Sequence, residues 1–301
     1  MTVPNPVLSR LGLSARDRAV VLHADDIGNF QGTLDAYRDL LEAGVISAAA
    51  VMVTCPWFPA TAAFCRANAN HPNLDMGVHL TLTSEYSAYR WGPVTANDQA
   101  NSLRDENGYL PATSAALQRQ APAEAVRAEI QAQIDRALAA GIDVTHIDSH
   151  MGTLFHPKYI DAYVDLACEY RVPAFLPRGL DLHLFEEAHA SLLAGIPEWE
   201  ERGLPLFDYV TMMPLLENAQ DRKEKLLRTL HDLPPGLTYL LVHPTKDTPE
   251  LREASPIDWP CRAADYELLR DPATREAMRS AGVHLVTMRA LRDIMRAGQT
   301  L

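Results

Sequence analysis

Residues 19–28 read AVVLHADDIG. Ala19–Ala24 is an apolar run without polar alternation, the pattern of a strand buried on both faces, as in a parallel sheet covered by helices. Asp25-Asp26-Ile27-Gly28 closes the run, and a helix is predicted from about Gln31 to Ala43, with Gly44 as its C-terminal stop. The alternation repeats outward from there. Val45–Thr54 and Met76–Thr83 read as further strands, with a helix over Pro59–Asn70 between them. Val126, Ile130, Ile134 and Leu138 recur every fourth residue between Pro122 and Gly141, which gives one apolar helical face. Later strands are predicted at Asp143–Asp148, Val172–Leu176, Phe207–Thr211, Thr238–His243 and Val283–Thr287. Helices are predicted near Pro157–Tyr170, Asp221–His231, Arg262–Ser280 and Met288–Ala297, with a partly helical stretch in 181–204.

Strand–helix alternation along the whole chain implies an α/β fold: a parallel β/α barrel of about seven strands with outer helices, closed or nearly closed. No G-x-G-x-x-G follows the first strand, which disfavours a dinucleotide-binding fold. One stretch stands apart. Residues 84–121 are polar, carry Gly92, Pro93, Gly108 and Pro111 and keep no period, as expected of a long loop excursion beside an active site. No repeat or linker divides the chain, so a single domain over 1–301 is expected.

The 301 residues carry a formal net charge of −12 and are 47% hydrophobic. That acidic balance argues against nucleic acid or an anionic membrane as a partner. Cys55, Cys65, Cys168 and Cys261 form no C-x-x-C pair, which excludes a zinc ribbon and a disulfide-dense scaffold. Neither a signal peptide nor a run of eighteen apolar residues is present, so a cytoplasmic protein with no membrane span is expected.

In parallel barrels the chemistry gathers at the C-terminal ends of the strands. Four predicted strand ends carry His or Asp: His23-Ala-Asp25-Asp26, His79, His146-Ile-Asp148-Ser-His150 and His243. Asp25 and Asp26 can serve one site only where the strand is ending, and their repulsion invites a cation; an Asp pair is equally at home as a helix N-cap. His79, in an apolar strand, suits a ligand or a satisfied core residue. His146, Asp148 and His150 alternate, so they share a face and call for a metal, a substrate or one another. His243 leaves a buried strand just before Pro244, as a general acid or base would, or a structural imidazole bonded to backbone. One Asp and two His would make a three-ligand set for a divalent hydrolytic metal, zinc or, with waters, magnesium.

These motifs, His23-Ala-Asp25-Asp26-Ile-Gly28, Gly77-Val-His79-Leu-Thr-Leu, Thr145-His146-Ile-Asp148-Ser-His150 and Leu241-Val-His243-Pro244, occur in order and resemble those of the YdjC-like carbohydrate deacetylases, the group that includes ChbG and HpnK proteins. The resemblance runs from about Asp17 to Ala297. It implies a distorted β/α barrel similar to the NodB-type polysaccharide deacetylases. It also implies that Asp26, His79 and His150 hold one divalent metal ion (Mg2+ or Zn2+), that Asp25 is the catalytic base and that His243 protonates the departing amine. His146 and Asp148 would orient the ligands. The implied reaction removes an acetyl group from an N-acetylated amino sugar or oligosaccharide, giving acetate and a free amine. A homodimer is an open option for the assembly. In this chain His150 is followed by Met151-Gly152-Thr153-Leu154-Phe155, where many relatives continue with histidines. The long loop carries Tyr86, Tyr89, Arg90 and Trp91, whose aromatic faces could stack on a sugar, and Arg178 could bind a hydroxyl or steady the base; packing within the loop and a plain surface arginine are the alternatives. Two other functions fit a barrel of this kind: a metal hydrolase acting on another amide or a phosphoester, and a non-catalytic sugar-binding protein. The first is disfavoured by Asp-Asp where amidohydrolases carry His-x-His.

Overall fold

The computed structural model describes residues 4–96, 98–178 and 189–298. Strands β1 (Arg18–Ile27), β2 (Ala48–Val51), β3 (Met76–Leu80), β4 (Val144–Ser149), β5 (Tyr209–Met212), β6 (Gly236–Val242) and β7 (Val283–Leu285) form one parallel sheet in the order β4-β3-β2-β1-β6-β5. β7 pairs with Arg18–Val20 of β1, and β2 pairs with His23–Ile27. The remaining gap, between β4 and β5, is bridged by residues 174–177. Ile147 donates to Pro173, Phe175 donates to Ile147, and Phe207 donates to Leu176. The sheet therefore closes into a distorted barrel.

Twelve helices among the described residues dress it: α1 (Pro6–Arg10), α2 (Gln31–Ala43), α3 (Phe58–Ala67), α4 (Ser114–Gln120), α5 (Ala123–Ala139), α6 (Ile160–Tyr170), α7 (His189–Glu201), α8 (Arg222–Asp232), α9 (Pro249–Ala254), α10 (Trp259–Arg270), α11 (Pro272–Ser280) and α12 (Met288–Gly298). None of the described helices is long and apolar enough to cross a membrane.

β1 is buried along nearly its whole length, as its unbroken apolar run requires. α2 stops where Gly44 adopts the left-handed conformation (φ 63°) and returns its amide to Leu40 and Leu41.

Three segments differ from the sequence reading. Val172–Leu176 forms only isolated bridges, because Pro173 and Pro177 have no N–H to extend a ladder. The helix expected over Arg262–Ser280 is two, because Pro272 cannot continue α10 and Asp271 caps α11, accepting from Ala273. On α5 the apolar face ends at Ala137, and Leu138 is 43% exposed. The 181–188 part of the partly helical stretch lies outside the described residues, and the rest contains α7.

The excursion of 84–121 contains a 3-10 turn at Asp98–Leu103 and helix α4. It is fastened to α5 through a buried carboxylate. Glu129 accepts from the Val94 amide (2.8 Å) and from the Thr95 amide (2.9 Å) and hydroxyl (2.7 Å). Beside it Gln133 pairs with both backbone groups of Thr81.

Gly77 explains its place in the third strand. A Cβ there would lie 2.5 Å from the His146 ring, so glycine alone lets that imidazole cross β3. Gly77→Ala is expected to lower stability by about 1–3 kcal/mol, as overpacking does. Chemical denaturation checks this, and an unchanged midpoint would mean that the ring has room to move.

Candidate active site

β1 delivers both carboxylates by bending. Its pairing with β2 shifts register between Ala24 and Ile27, and Asp26 sits at φ 63°. That left-handed backbone, uncommon outside glycine but tolerated by Asp, turns Asp26 to the same side as Asp25. The two are therefore strand residues and not helix caps. The cap position of α2 is Phe30, and no side chain bonds there.

β3 and β4 bring the histidines to meet them. Asp26 Oδ1, His79 Nε2 and His150 Nδ1 form a nearly equilateral triangle, with separations of 3.3, 3.3 and 3.2 Å. Nitrogen and oxygen ligands about 2.0–2.2 Å from one small divalent cation lie roughly 3–3.4 Å apart. Asp26 Oδ1 is buried and has no hydrogen-bond partner. The donor set, its spacing and that oxygen all fit a cation.

Each corner is held from behind. Asp26 Oδ2 accepts from Arg262 Nη1 of α10 (2.7 Å), His79 Nδ1 meets Asp148 Oδ1 (2.8 Å), and His150 Nε2 meets Glu85 Oε1 (3.1 Å). Burial by itself would raise the Asp26 carboxyl, but the Arg262 guanidinium and the neighbouring His150 and His79 imidazoles hold it well below the usual range. Burial would lower both histidines. Instead Asp148 and Asp25 hold His79 well above its ordinary value, and Glu85 and Asp26 push His150 up to about 9.

Asp25 and His243 flank the triangle. His243 Nε2 lies 3.8 Å from Asp25 Oδ2, its amide donates to Asp265, and Nδ1 has no partner. Burial lowers the His243 pKa, against the pull of Asp26 and Asp25, so the ring rests neutral at pH 7. Below them His23 Nδ1 contacts Asp25 Oδ1 (2.6 Å), and His23 Nε2 contacts His146 Nε2 (2.7 Å). Thus Asp148 backs a corner of the triangle, whereas His146 touches none of it and reaches Asp25 through His23.

A cavity of about 650 Å³ opens onto Asp25, Asp26, His79, His150 and His243. Phe155, Phe175, Met212 and Leu241 give it apolar walls. Tyr86 of the long loop also faces it, together with Glu85 and Arg262, two residues that sequence reasoning does not find because a lone Glu or Arg carries no spacing signal.

Tyr89, Trp91 and Arg178 lie off its wall. Tyr89 packs on Phe30 and donates to the Asn29 carbonyl (2.7 Å). Trp91 is buried, donates to Thr83 and sets its ring edge-on to His150. Arg178 is engaged by Glu200 and Asp208.

Residues 19–280 match the family model described as YdjC-like protein. The chain belongs to the YdjC-like family. This YdjC-like protein is 36% identical over 296 residues to a protein of Thermus thermophilus named carbohydrate deacetylase, covering 96% of this chain and 99% of that one. It is 26% identical to a carbohydrate deacetylase of Thermoanaerobacter pseudethanolicus, over 77% of this chain and 83% of that one. In fold it is similar to a crystal structure from Enterococcus faecalis V583, with a TM-score of 0.75 at 24% identity over 91% of this chain and 99% of the other.

The Arg262–Asp26 pair carries a stability consequence. A carboxylate whose folded pKa is depressed stabilises the fold above its unfolded pKa and loses that contribution as pH falls through the folded value. Arg262→Met should therefore destabilise the protein by roughly 3–5 kcal/mol at neutral pH, because it strands a buried charge, and by less in acid, where Asp26 protonates. Urea melts across pH read the difference, and a pH-independent loss would show that Arg262 acts by packing alone.

Proposed function

We propose that this YdjC-like protein is a metal-dependent deacetylase that hydrolyses the acetamide of an N-acetylated amino sugar, releasing acetate and a free amine. The observation that carries the reading is the triangle of Asp26, His79 and His150 open to a cavity and flanked by one carboxylate and one neutral imidazole. The names of the Thermus and Thermoanaerobacter relatives support the sugar substrate.

Asp26, His79 and His150 would hold one divalent ion; two imidazoles and a carboxylate suit zinc, and magnesium where waters complete the shell. When bound, the ion supplies Lewis acidity, making water more acidic and an amide carbonyl more electrophilic. The chain's own groups do the rest. Asp25 takes the proton from water as it attacks the carbonyl carbon. His243, neutral at rest, is 3.8 Å from Asp25 and takes up that proton through a small side-chain movement. It then donates from Nε2 to the nitrogen as the C–N bond breaks. A pure binding protein would need neither of these two groups. The apolar walls exclude bulk water and suit the acetyl methyl.

The test is acetate release from N-acetylglucosamine and its oligomers, with and without a chelator. Asp26→Ala, His79→Ala and His150→Ala should lose the metal. Asp25→Asn and His243→Ala should keep it, with kcat reduced on the order of 100-fold or more. Metal-loaded protein that released no acetate from any amino sugar would sink the reading.

Metal binding itself should follow pH. His79 and His150 are held protonated in the metal-free site, so binding must release protons and should strengthen as pH rises toward about 9. Calorimetry in buffers of different ionisation enthalpy measures that release, and binding without proton release would rule out these two histidines as the ligands.

A further inference from the structure

A chain of buried polar groups runs down the barrel from Asp25 to the opposite mouth, and the reaction as described uses only its upper end. Asp25 Oδ1 meets His23 Nδ1 at 2.6 Å, His23 Nε2 meets His146 Nε2 at 2.7 Å, and His146 Nδ1 meets Thr145 Oγ1 at 2.9 Å. Thr145 Oγ1 in turn bonds Asp75 Oδ1. His23, His146 and Thr145 are fully buried, and Asp25 and Asp75 nearly so. Asp75 lies just before β3, and its other oxygen accepts from the Arg289 amide (2.7 Å).

Hydrogen-bond directionality allows this chain two arrangements with the same number of protons. In the first, Asp75 is ionised and accepts from the Thr145 hydroxyl. Thr145 oxygen then accepts from His146 Nδ1–H, and His146 Nε2 accepts from His23 Nε2–H. His23 also donates through Nδ1–H to Asp25, so it is a cation. In the second, every bond between His23 and Asp75 is reversed. Asp75 is protonated and donates to Thr145, Thr145 donates to His146 Nδ1, and His146 Nε2–H donates to a neutral His23, which still donates to Asp25. Three proton hops convert one into the other: His23 Nε2 to His146 Nε2, His146 Nδ1 to Thr145 Oγ1, and the Thr145 hydroxyl proton to Asp75.

We infer that Asp75 is a positioning residue for the deacetylation: through Thr145, His146 and His23 it sets the charge that faces Asp25, and it takes up the His23 proton when Asp25 accepts one from water. An O–H bond of water breaks and an O–H bond forms on Asp25, while the three hops move one positive charge away from Asp25 and neutralise Asp75. His146 stays neutral in both arrangements, in accord with burial and the neighbouring His23, which hold it well below an ordinary histidine. Burial pushes Asp75 up to about 6, a carboxylate poised to accept a proton. Gly77 makes the path possible, because a side chain there would occupy the place of the His146 ring.

This inference rests on Asp25 as the base, and the experiment separates the two. Protein labelled with 15N-histidine, at one fixed pH near neutrality, reports which ring nitrogens carry hydrogen. In the native chain His146 should carry it on Nδ1 and His23 on both nitrogens. In Asp75→Asn, which cannot hold the anion, His146 should carry it on Nε2 and His23 on Nδ1 only. Thr145→Val should uncouple the rings from Asp75, and Thr145→Ser should restore the native pattern. Kinetically, Asp75→Asn and Thr145→Val should lower kcat about tenfold, with KM and metal content unchanged and Thr145→Ser near native.

Ring states indifferent to both Asp75→Asn and Thr145→Val would overturn the relay whether or not the protein deacetylates anything. Ring states that change while kcat holds would overturn its role in the reaction. A second bound metal ion lost on replacing His146 would also overturn it, because His23, His146 and Asp148 would then be ligands. Absence of any deacetylase activity in the native chain would fail the functional reading alone and leave the ring states to decide the relay.

Discussion

Asp26 is held between opposite charges, with the Arg262 guanidinium on one oxygen and the imidazoles of His79 and His150 around the other. The barrel's upper interior depends on this arrangement. A carboxylate so deep would otherwise take up a proton, and a neutral acid would neither draw in two histidines nor attract a cation. One interaction therefore fixes the charge of the site, the direction in which β1 must bend, and the position of α10, which has to bring a guanidinium into the barrel's interior.

The same need to satisfy buried charge organises the layers beneath. His79 is satisfied by Asp148, Asp25 by His23, and His23 by His146. Ordinary barrel interiors are filled with branched aliphatic side chains. Here a polar column replaces them along one side, while Phe155, Phe175, Phe207 and Tyr239 form an aromatic cluster beside it. The protein carries this expense because functional groups have to be rigid before a substrate arrives.

Much of this was legible in the sequence because periodicity and motif act locally. The bounds of α2 follow from its apolar pattern and Gly44, and the four His- and Asp-bearing strand ends do converge at one end of the barrel. What local pattern could not give were partners remote in the chain. Arg262 lies 236 positions from Asp26, on a helix whose sequence looks like an ordinary amphipathic surface element. Glu85 sits in a loop with no period, and Asp75 is a single polar residue just before β3. The run Asp25–Gly28 marks the end of β1 in the sequence, but the residue that turns the second carboxylate is Asp26 itself, a non-glycine in a conformation that composition does not reveal. Proline explains the other misses: Pro173 and Pro177 reduce a strand to bridges, and Pro272 divides a helix.

The closure between β4 and β5 has a mechanical consequence. Elsewhere neighbouring strands are laced by ladders of several paired residues, whereas here a few main-chain bonds around Ala174 and Pro177 hold the two edges together. A hoop yields first at its thinnest stave. Phe175 lies on that stave and also lines the cavity, so a change in the girth of the barrel would be felt directly by whatever occupies it. Girth could thus change at this joint while β1, β3 and β4, at whose ends Asp26, His79 and His150 lie, stay laced to their neighbours.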